Sequence, residues 1–236
     1  MSPGELPAIP APAPRASHPV TETILRRRST REQFLDRSIP GAVLIEIVRC
    51  GLAAPSSKNA QPWRLHVVSD RAVLGDLAKA VETSRGADSY APMDPLTGKP
   101  HPDWPSTVVL SASVLREAAT GIFIENRSSF SRSRRTLIEA IQGGRIGSLV
   151  SYGFEILGIG AAIENMWIAA EAFGVRGCYM GDVVIAEEEI SRRLGIEKDL
   201  MGVLALGYSE APVRPCSVAE MPFDRAHVVW HSPPGP

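Results

Sequence analysis

The sequence predicts an α+β domain on three observations. Segments with apolar residues three and four apart recur along the chain, as amphipathic helices require. Between them lie a few short runs that alternate or are continuously apolar, as strands are. The helices gather around those few strands without an internal repeat, which is the layering of an α+β protein. Composition agrees: of 236 residues, 44% are hydrophobic and 22% charged, which excludes collagen, coiled coil and wholesale disorder. No apolar run reaches the ~18 residues of a membrane-spanning helix. Arg145, Glu155, Glu164 and Glu171 interrupt the longest candidates.

Residues 1–20 carry Pro3, Pro7, Pro10, Pro12, Pro14 and Pro19 among alanines, without the basic and apolar regions of a signal peptide. They read as a flexible or polyproline-like arm, and 21–236 as the domain. A short helix is expected over 21–28, starting near Thr21 or Thr23 and closed by Arg26, Arg27 and Arg28. Val43, Leu44, Ile47, Val48 and Leu52 give a second helix from Pro40, with proline near its first turn. Residues 54–59 are turn-rich, and Trp63, Leu65 and Val67 alternate through 63–69 as a strand does. Val73, Leu74, Leu77 and Val81 restore the helical period over 71–82. Residues 83–106, with Pro92, Pro95, Pro100, Pro102 and Pro105, form a long irregular excursion. The stretch 107–141 reads as helix-rich with a polar break at 126–135, and 143–152 as a strand or a loop. The longest apolar helix covers 154–173, with small residues at Gly158, Gly160, Ala161 and Ala162, and stops at Gly174. Residues 178–180 are extended, 186–194 form an acidic-started helix, and 200–206 are a second apolar strand.

With 25 basic and 26 acidic residues the net charge is −1, so no global field attracts a nucleic acid or an anionic membrane, and any anion must be met locally. Cys50, Cys178 and Cys216 are an odd set without CxxC spacing, which favours a reducing cytoplasm over a disulfide framework. The phosphate loop GxxxxGK[ST], the nucleophile elbow GxSxG and the zinc motif HExxH are all missing. Gly158 and Gly160 lack the third glycine of a dinucleotide fingerprint. His227 and His231 stand four apart with no third ligand nearby, so no metal site is expected. Arg132, Arg134 and Arg135 among serines have no aromatic platform and read as a solvated loop.

Two segments stand out. In Arg27, Arg28, Ser29 and Arg31, guanidinium forks and a hydroxyl are spaced to converge on a small dianion such as a monophosphate, although a basic helix end opposing the helix dipole has the same composition. Pro55, Ser56, Ser57 and Asn59 lie in Ala54-Pro-Ser-Ser-Lys-Asn-Ala-Gln-Pro-Trp63, a polar turn leading straight into a strand. Such a turn presents hydrogen-bonding groups to a ligand, or simply connects helix to strand.

Together these segments resemble the flavin-dependent nitroreductase family. The run from Arg27 to Arg31 with Phe34 is similar to the family's RxSxR opening, and residues 54–63 to its APSxxNxQPW loop. The helix 161–174, then 177–181 and Leu204 to Tyr208, resemble its core helix, flavin-facing strand and final strand. The resemblance covers residues 24 to about 215, with 83–150 ambiguous. It implies an α+β fold with a central, mostly antiparallel sheet of four or five strands flanked by helices, intertwined as a homodimer with FMN at the interface. It implies that Arg27, Ser29 and Arg31 hold the flavin phosphate, Arg28 through its backbone, with Arg214 as the basic residue after the last strand. Pro55, Ser56, Ser57 and Asn59 would reach the flavin from the partner chain, and Met180 and Gly181 would set a backbone N–H near its reactive nitrogen. Arg214 departs from the family in having no adjacent lysine, and 83–135, which commonly shapes the substrate pocket, does not align. Tyr90, Trp104, Phe123 and Phe130 are candidate stacking or lid residues, with core packing as the alternative.

The expected activity is that of an FMN-dependent oxidoreductase taking a hydride from NADH or NADPH and reducing a flat, electron-poor acceptor, a nitroaromatic compound, by ping-pong turnover. No protein side chain is expected to be catalytic, since the flavin carries the chemistry. Two alternatives stand beside it: an FMN dehydrogenase of a peptide-like biosynthetic intermediate, and a flavin-binding protein without turnover.

Overall fold

A computed structural model describes residues 18–90, 93–94, 97–99, 106–143 and 146–213. Two compact units are distinguished, Arg27–Pro212 and a second made of Met1–Arg26 with Val213–Pro236. In the second unit the described element is α1 (Pro19–Arg26), which starts two residues before Thr21 and ends before Arg27. Proline at its first position needs no hydrogen-bond partner for the N–H it lacks. The expected arm is otherwise outside the described residues.

The larger unit is built on a sheet of four strands in the order β1-β2-β4-β3: β1 (Trp63–Val68), β2 (Thr120–Asn126), β3 (Arg176–Met180) and β4 (Asp199–Gly207). All three pairings are antiparallel, with Trp63 opposite Asn126, Thr120 opposite Leu206 and Cys178 opposite Ala205. Beyond the free edge of β3, Ser29 forms an isolated parallel bridge with Gly177.

Alternation along the strands sends side chains to two cores. Phe123, Cys178, Met180, Val203 and Ala205 face one side, where α3 (Arg71–Glu82), α4 (Thr107–Glu117) and α7 (Glu187–Leu194) cover them. Ile122, Ile124, Leu204 and Leu206 face the other, against α2 (Gly41–Leu52) and α6 (Ile146–Ala172). The helix α5 (Arg134–Gln142) packs on α6. Local chemistry supports these elements: Asp70 caps α3 by accepting from Ala72 N at 2.8 Å and Val73 N at 3.2 Å.

Several expectations are corrected. The stretch read as helix-rich contains β2, every residue of which is buried. A strand covered on both faces shows a continuous apolar run and loses the alternation that would reveal it. Residues 143–152 are neither strand nor loop over most of their length, because α6 begins at Ile146, eight residues ahead of the expected start. Arg134 is not solvated: it pairs with Glu187, lies 3.6 Å from Asp199 Oδ1, and its backbone N–H donates to Asp199 Oδ2 at 2.8 Å. Phe123 is core, whereas Tyr90 and Phe130 are exposed. Trp104, Cys216, His227 and His231 lie outside the described residues. Among the described residues no helix is long and apolar enough to cross a membrane, and no cluster of metal-ligating side chains forms.

Candidate functional site

The basic segment is laid along the edge of β3. Thr30 N donates to Gly177 O at 2.9 Å, and Leu35 N donates to Tyr208 O at 2.8 Å, so residues 29–35 run beside β3 and the end of β4. On the other side of β3, Gly177 allows close pairing with β4, since an added Cβ would lie 2.0 Å from Ala205 O. The result gathers Arg27, Ser29 and Arg31 around the buried Cys178. Burial pushes the Cys178 thiol up, while the Arg31 guanidinium, the Ser29 hydroxyl and Arg27 pull it back.

Arg27 is held by a residue pair that the sequence did not single out. Its guanidinium stacks 4.2 Å from the Trp167 ring centroid, and its Nε lies 3.1 Å from Glu164 Oε1. That Nε is nonetheless buried without a properly directed hydrogen bond, and the terminal nitrogens donate to nothing among the described residues. Arg28 is different: its side chain folds back onto the Arg27 carbonyl. At the far end of β3, Met180 is buried and Gly181 half-buried, followed by Asp182, whose Oδ1 is buried and accepts no hydrogen bond among the described residues. Burial and the Asp182 carboxylate both push the Tyr179 hydroxyl up. Nothing local in the sequence marks Asp182.

The second segment forms a rigid loop between α2 and β1. A 3₁₀ turn, Ser57–Asn59, is closed by Asn59 N donating to Ser56 O and Ala60 N to Ser57 O, both at 3.0 Å. Ser56 Oγ accepts from Gln61 N at 3.0 Å, so this hydroxyl shapes the loop. Lys58, Asn59 and Gln61 all have left-handed φ, at 51°, 52° and 44°. Non-glycine residues adopt this region only where their surroundings enforce it. The loop packs on α6 at Gly158, where a Cβ would meet Ser56 Cβ at 3.2 Å. The side chains of Ser57 and Asn59 make no hydrogen bond within the described residues, and Asn59 is exposed. Pro55 is exposed at the loop's start.

Beside the loop lies a buried polar anchor. Glu155 of α6 is 1% exposed and accepts from Asn126 Nδ2 at 3.0 Å, Phe130 N at 2.6 Å, Ser131 N at 3.0 Å and Ser131 Oγ at 2.6 Å. Tyr152, one turn earlier, has its hydroxyl pushed up by burial and by the Asp199 carboxylate, against the pull of Arg134.

The structure brings Arg27, Ser29 and Arg31 together, and sets Met180 and Gly181 on the same strand. It does not bring the loop to them within one chain. Trp63, at the loop's end, and Gly177, beside Ser29, lie on opposite edge strands. Three interstrand steps of about 4.8 Å separate them by roughly 14 Å across the sheet alone. Arg214 is outside the described residues. The donors at Arg27 and the orphaned acceptor at Asp182 suit a ligand with an anionic group and hydrogen-bond donors, as FMN is, so the residues fit the expected cofactor.

A model of the nitroreductase family matches residues 24–208. A chloronitrobenzene nitroreductase from Comamonas testosteroni is 36% identical over 69 residues, 29% of this chain and 30% of that protein, so the match spans under a third of that relative's length. The fold is similar to that of a nitroreductase with bound FMN from Desulfitobacterium hafniense, with TM-score 0.63 and 17% identity over 92% of this chain and 100% of that one. It is also similar to an NADPH:FMN oxidoreductase from Vibrio harveyi in complex with NAD+, with TM-score 0.60 and 20% identity over 91% and 77% of the two chains. At those identities the likeness is one of fold.

Proposed function

We propose, on the premise that this chain belongs to the nitroreductase family, that it is an FMN-dependent oxidoreductase which takes electrons from NADH or NADPH and delivers them to a nitroaromatic acceptor by ping-pong turnover at one site. Bound FMN supplies the redox chemistry, accepting and giving up a hydride equivalent. The observation that carries the reading is the Arg27 guanidinium: it is stacked, partly buried and left with donors unmet, beside Ser29 and Arg31. Such donors suit a phosphate, which accepts forked hydrogen bonds.

In this reading Arg27, Ser29 and Arg31 bind the phosphate and Arg28 contributes its backbone, with Arg214 as a further basic residue. Met180 and Gly181 offer backbone N–H groups to the ring system, and Asp182 offers its unmet oxygen to a hydroxyl or N–H donor. Pro55, Ser56, Ser57 and Asn59 cover the flavin of a partner chain in a homodimer. The distance between loop and basic segment within one chain supports that arrangement, as does the apolar surface exposed on α6 at Val150, Phe154 and Leu157. The nitroaromatic acceptor is supported by the similarity to the chloronitrobenzene nitroreductase.

The test is an anaerobic absorbance spectrum of the purified protein supplied with FMN. NADPH or NADH should bleach the flavin band, and a dinitrobenzene added next should restore it. Protein that retains no flavin, or flavin that neither nucleotide reduces, would overturn the proposal.

A further inference from the structure

Lys58 is an exposed cation at the centre of the rigid loop, and no carboxylate lies within ion-pairing distance of it among the described residues. Its Nζ instead lies 5.8 Å from the centroid of the Phe130 ring. Phe130 is 40% exposed. Its backbone N–H is fixed on the buried Glu155, and its neighbour Ser129 Oγ donates to Ala60 O of the loop at 3.5 Å. The ring and the ammonium group are therefore kept together by the backbone of two segments rather than by their own weak contact. Arg127 and Arg132, flanking Phe130, are also exposed, and neither forms an ion pair among the described residues. Glu155, the acid beneath this surface, already accepts four hydrogen bonds. An exposed aromatic ring with an ammonium group over its face, and two exposed arginines within three residues in sequence, is complementary to a flat ring that carries a negative charge.

We propose that the Lys58–Phe130 pair makes this enzyme prefer acceptors whose aromatic ring bears a carboxylate or similar anionic substituent. The inference rests on the flavin-dependent reading above, in which the same loop lines the site. Phe130 packs against the acceptor ring, and Lys58 exchanges its contact with Phe130 for the anion. Lys58 stays in water, so the gain is that of an exposed pair, about two- to fivefold in affinity, with Arg127 and Arg132 adding a field that salt screens. The phosphates of the nicotinamide donor are also anionic. The assignment to the acceptor follows from the ring beside the charge, which a phosphate does not need.

The experiment compares FMN-loaded wild type with Lys58→Gln and Lys58→Arg. Benzoate and its neutral counterpart benzamide are titrated into oxidised protein and followed by the change in flavin absorbance, which reads binding without turnover. The kcat/KM values for 4-nitrobenzoate and 4-nitrobenzamide are then measured at saturating donor. The anion-to-neutral ratio in both measurements should fall about two- to fivefold from wild type to Lys58→Gln and stay at the wild-type value in Lys58→Arg. In wild type it should fall by a similar factor as salt rises to about 0.5 M, a readout that needs no folded variant. A ratio that Lys58→Gln or salt leaves unchanged, or an effect confined to KM for NADPH or NADH, would overturn the inference. Protein that binds flavin and reduces nitro compounds while giving any of those results would refute the role of the pair alone. Protein that binds no flavin would refute the proposed function and this inference with it.

Discussion

Arg27 carries three demands at once: its plane stacks on Trp167, its Nε edge faces Glu164, and its terminal nitrogens are free to donate. The first two fix the guanidinium before a ligand arrives, which lowers the cost of ordering it on binding. Charge-assisted hydrogen bonds contribute roughly 1.5–3 kcal/mol each. Replacing both Arg27 and Arg31 by alanine should therefore weaken FMN binding by about 10²- to 10⁴-fold while the circular dichroism of the folded chain is retained. Flavin content per chain after desalting checks this, and stoichiometric FMN in the double variant would remove the phosphate assignment. At this scale the sequence was informative where groups are contiguous. Arg27, Ser29 and Arg31 sit within five residues and announce a cluster. Glu164, Trp167 and Asp182 become partners only when α6 and β3 are brought alongside, and no local pattern encodes that.

Among the elements, α3 was legible from its amphipathic stripe and β4, although covered on both faces, from its continuous apolar run, whereas β2 offered neither signal. The helix α3 spans the expected 71–82 because its apolar stripe and Asp70 cap are both local signals. The strand β2 was hidden because only Ile122, Phe123 and Ile124 of its seven buried residues are apolar, too short a run to mark a strand, and burial on both faces removes the alternation. The segment after β2 illustrates a further limit, since residues 127–133 were readable as polar but not as anchored. Their anchor is Glu155, whose two carboxyl oxygens accept four hydrogen bonds. Glu155→Ala would strand donors on Asn126, Phe130 and Ser131, and should lower stability by about 2–4 kcal/mol. Glu155→Gln keeps one acceptor oxygen and should cost less. Urea denaturation of both variants checks the order, and an alanine variant within about 0.5 kcal/mol of wild type would show that the anchor is dispensable.

Taken as a whole, the unit Arg27–Pro212 has two cores and leaves an apolar stripe of α6 exposed among the described residues. Val150, Phe154 and Leu157 recur at helical spacing on α6, and Leu157 is 71% exposed. This lies on the helix that also carries Gly158 under the loop and Glu164 beside Arg27. A partner chain covering that stripe would be tied to both halves of the candidate site. The proposed homodimer and the proposed flavin site should accordingly fail together. Leu157→Glu removes about 2 kcal/mol of burial per chain, and two-fold symmetry applies the loss twice, before counting the cost of an unpaired charge in an apolar interface. Its dimer dissociation constant should rise by about 10³-fold or more. Sedimentation should show a folded monomer, and the same sample should hold little FMN, because the loop of one chain would no longer cover the flavin of the other. A Leu157→Glu protein that stays dimeric would place the interface elsewhere. A monomer that keeps stoichiometric FMN would show that one chain completes the site, and would remove the partner-chain role of Pro55, Ser56, Ser57 and Asn59.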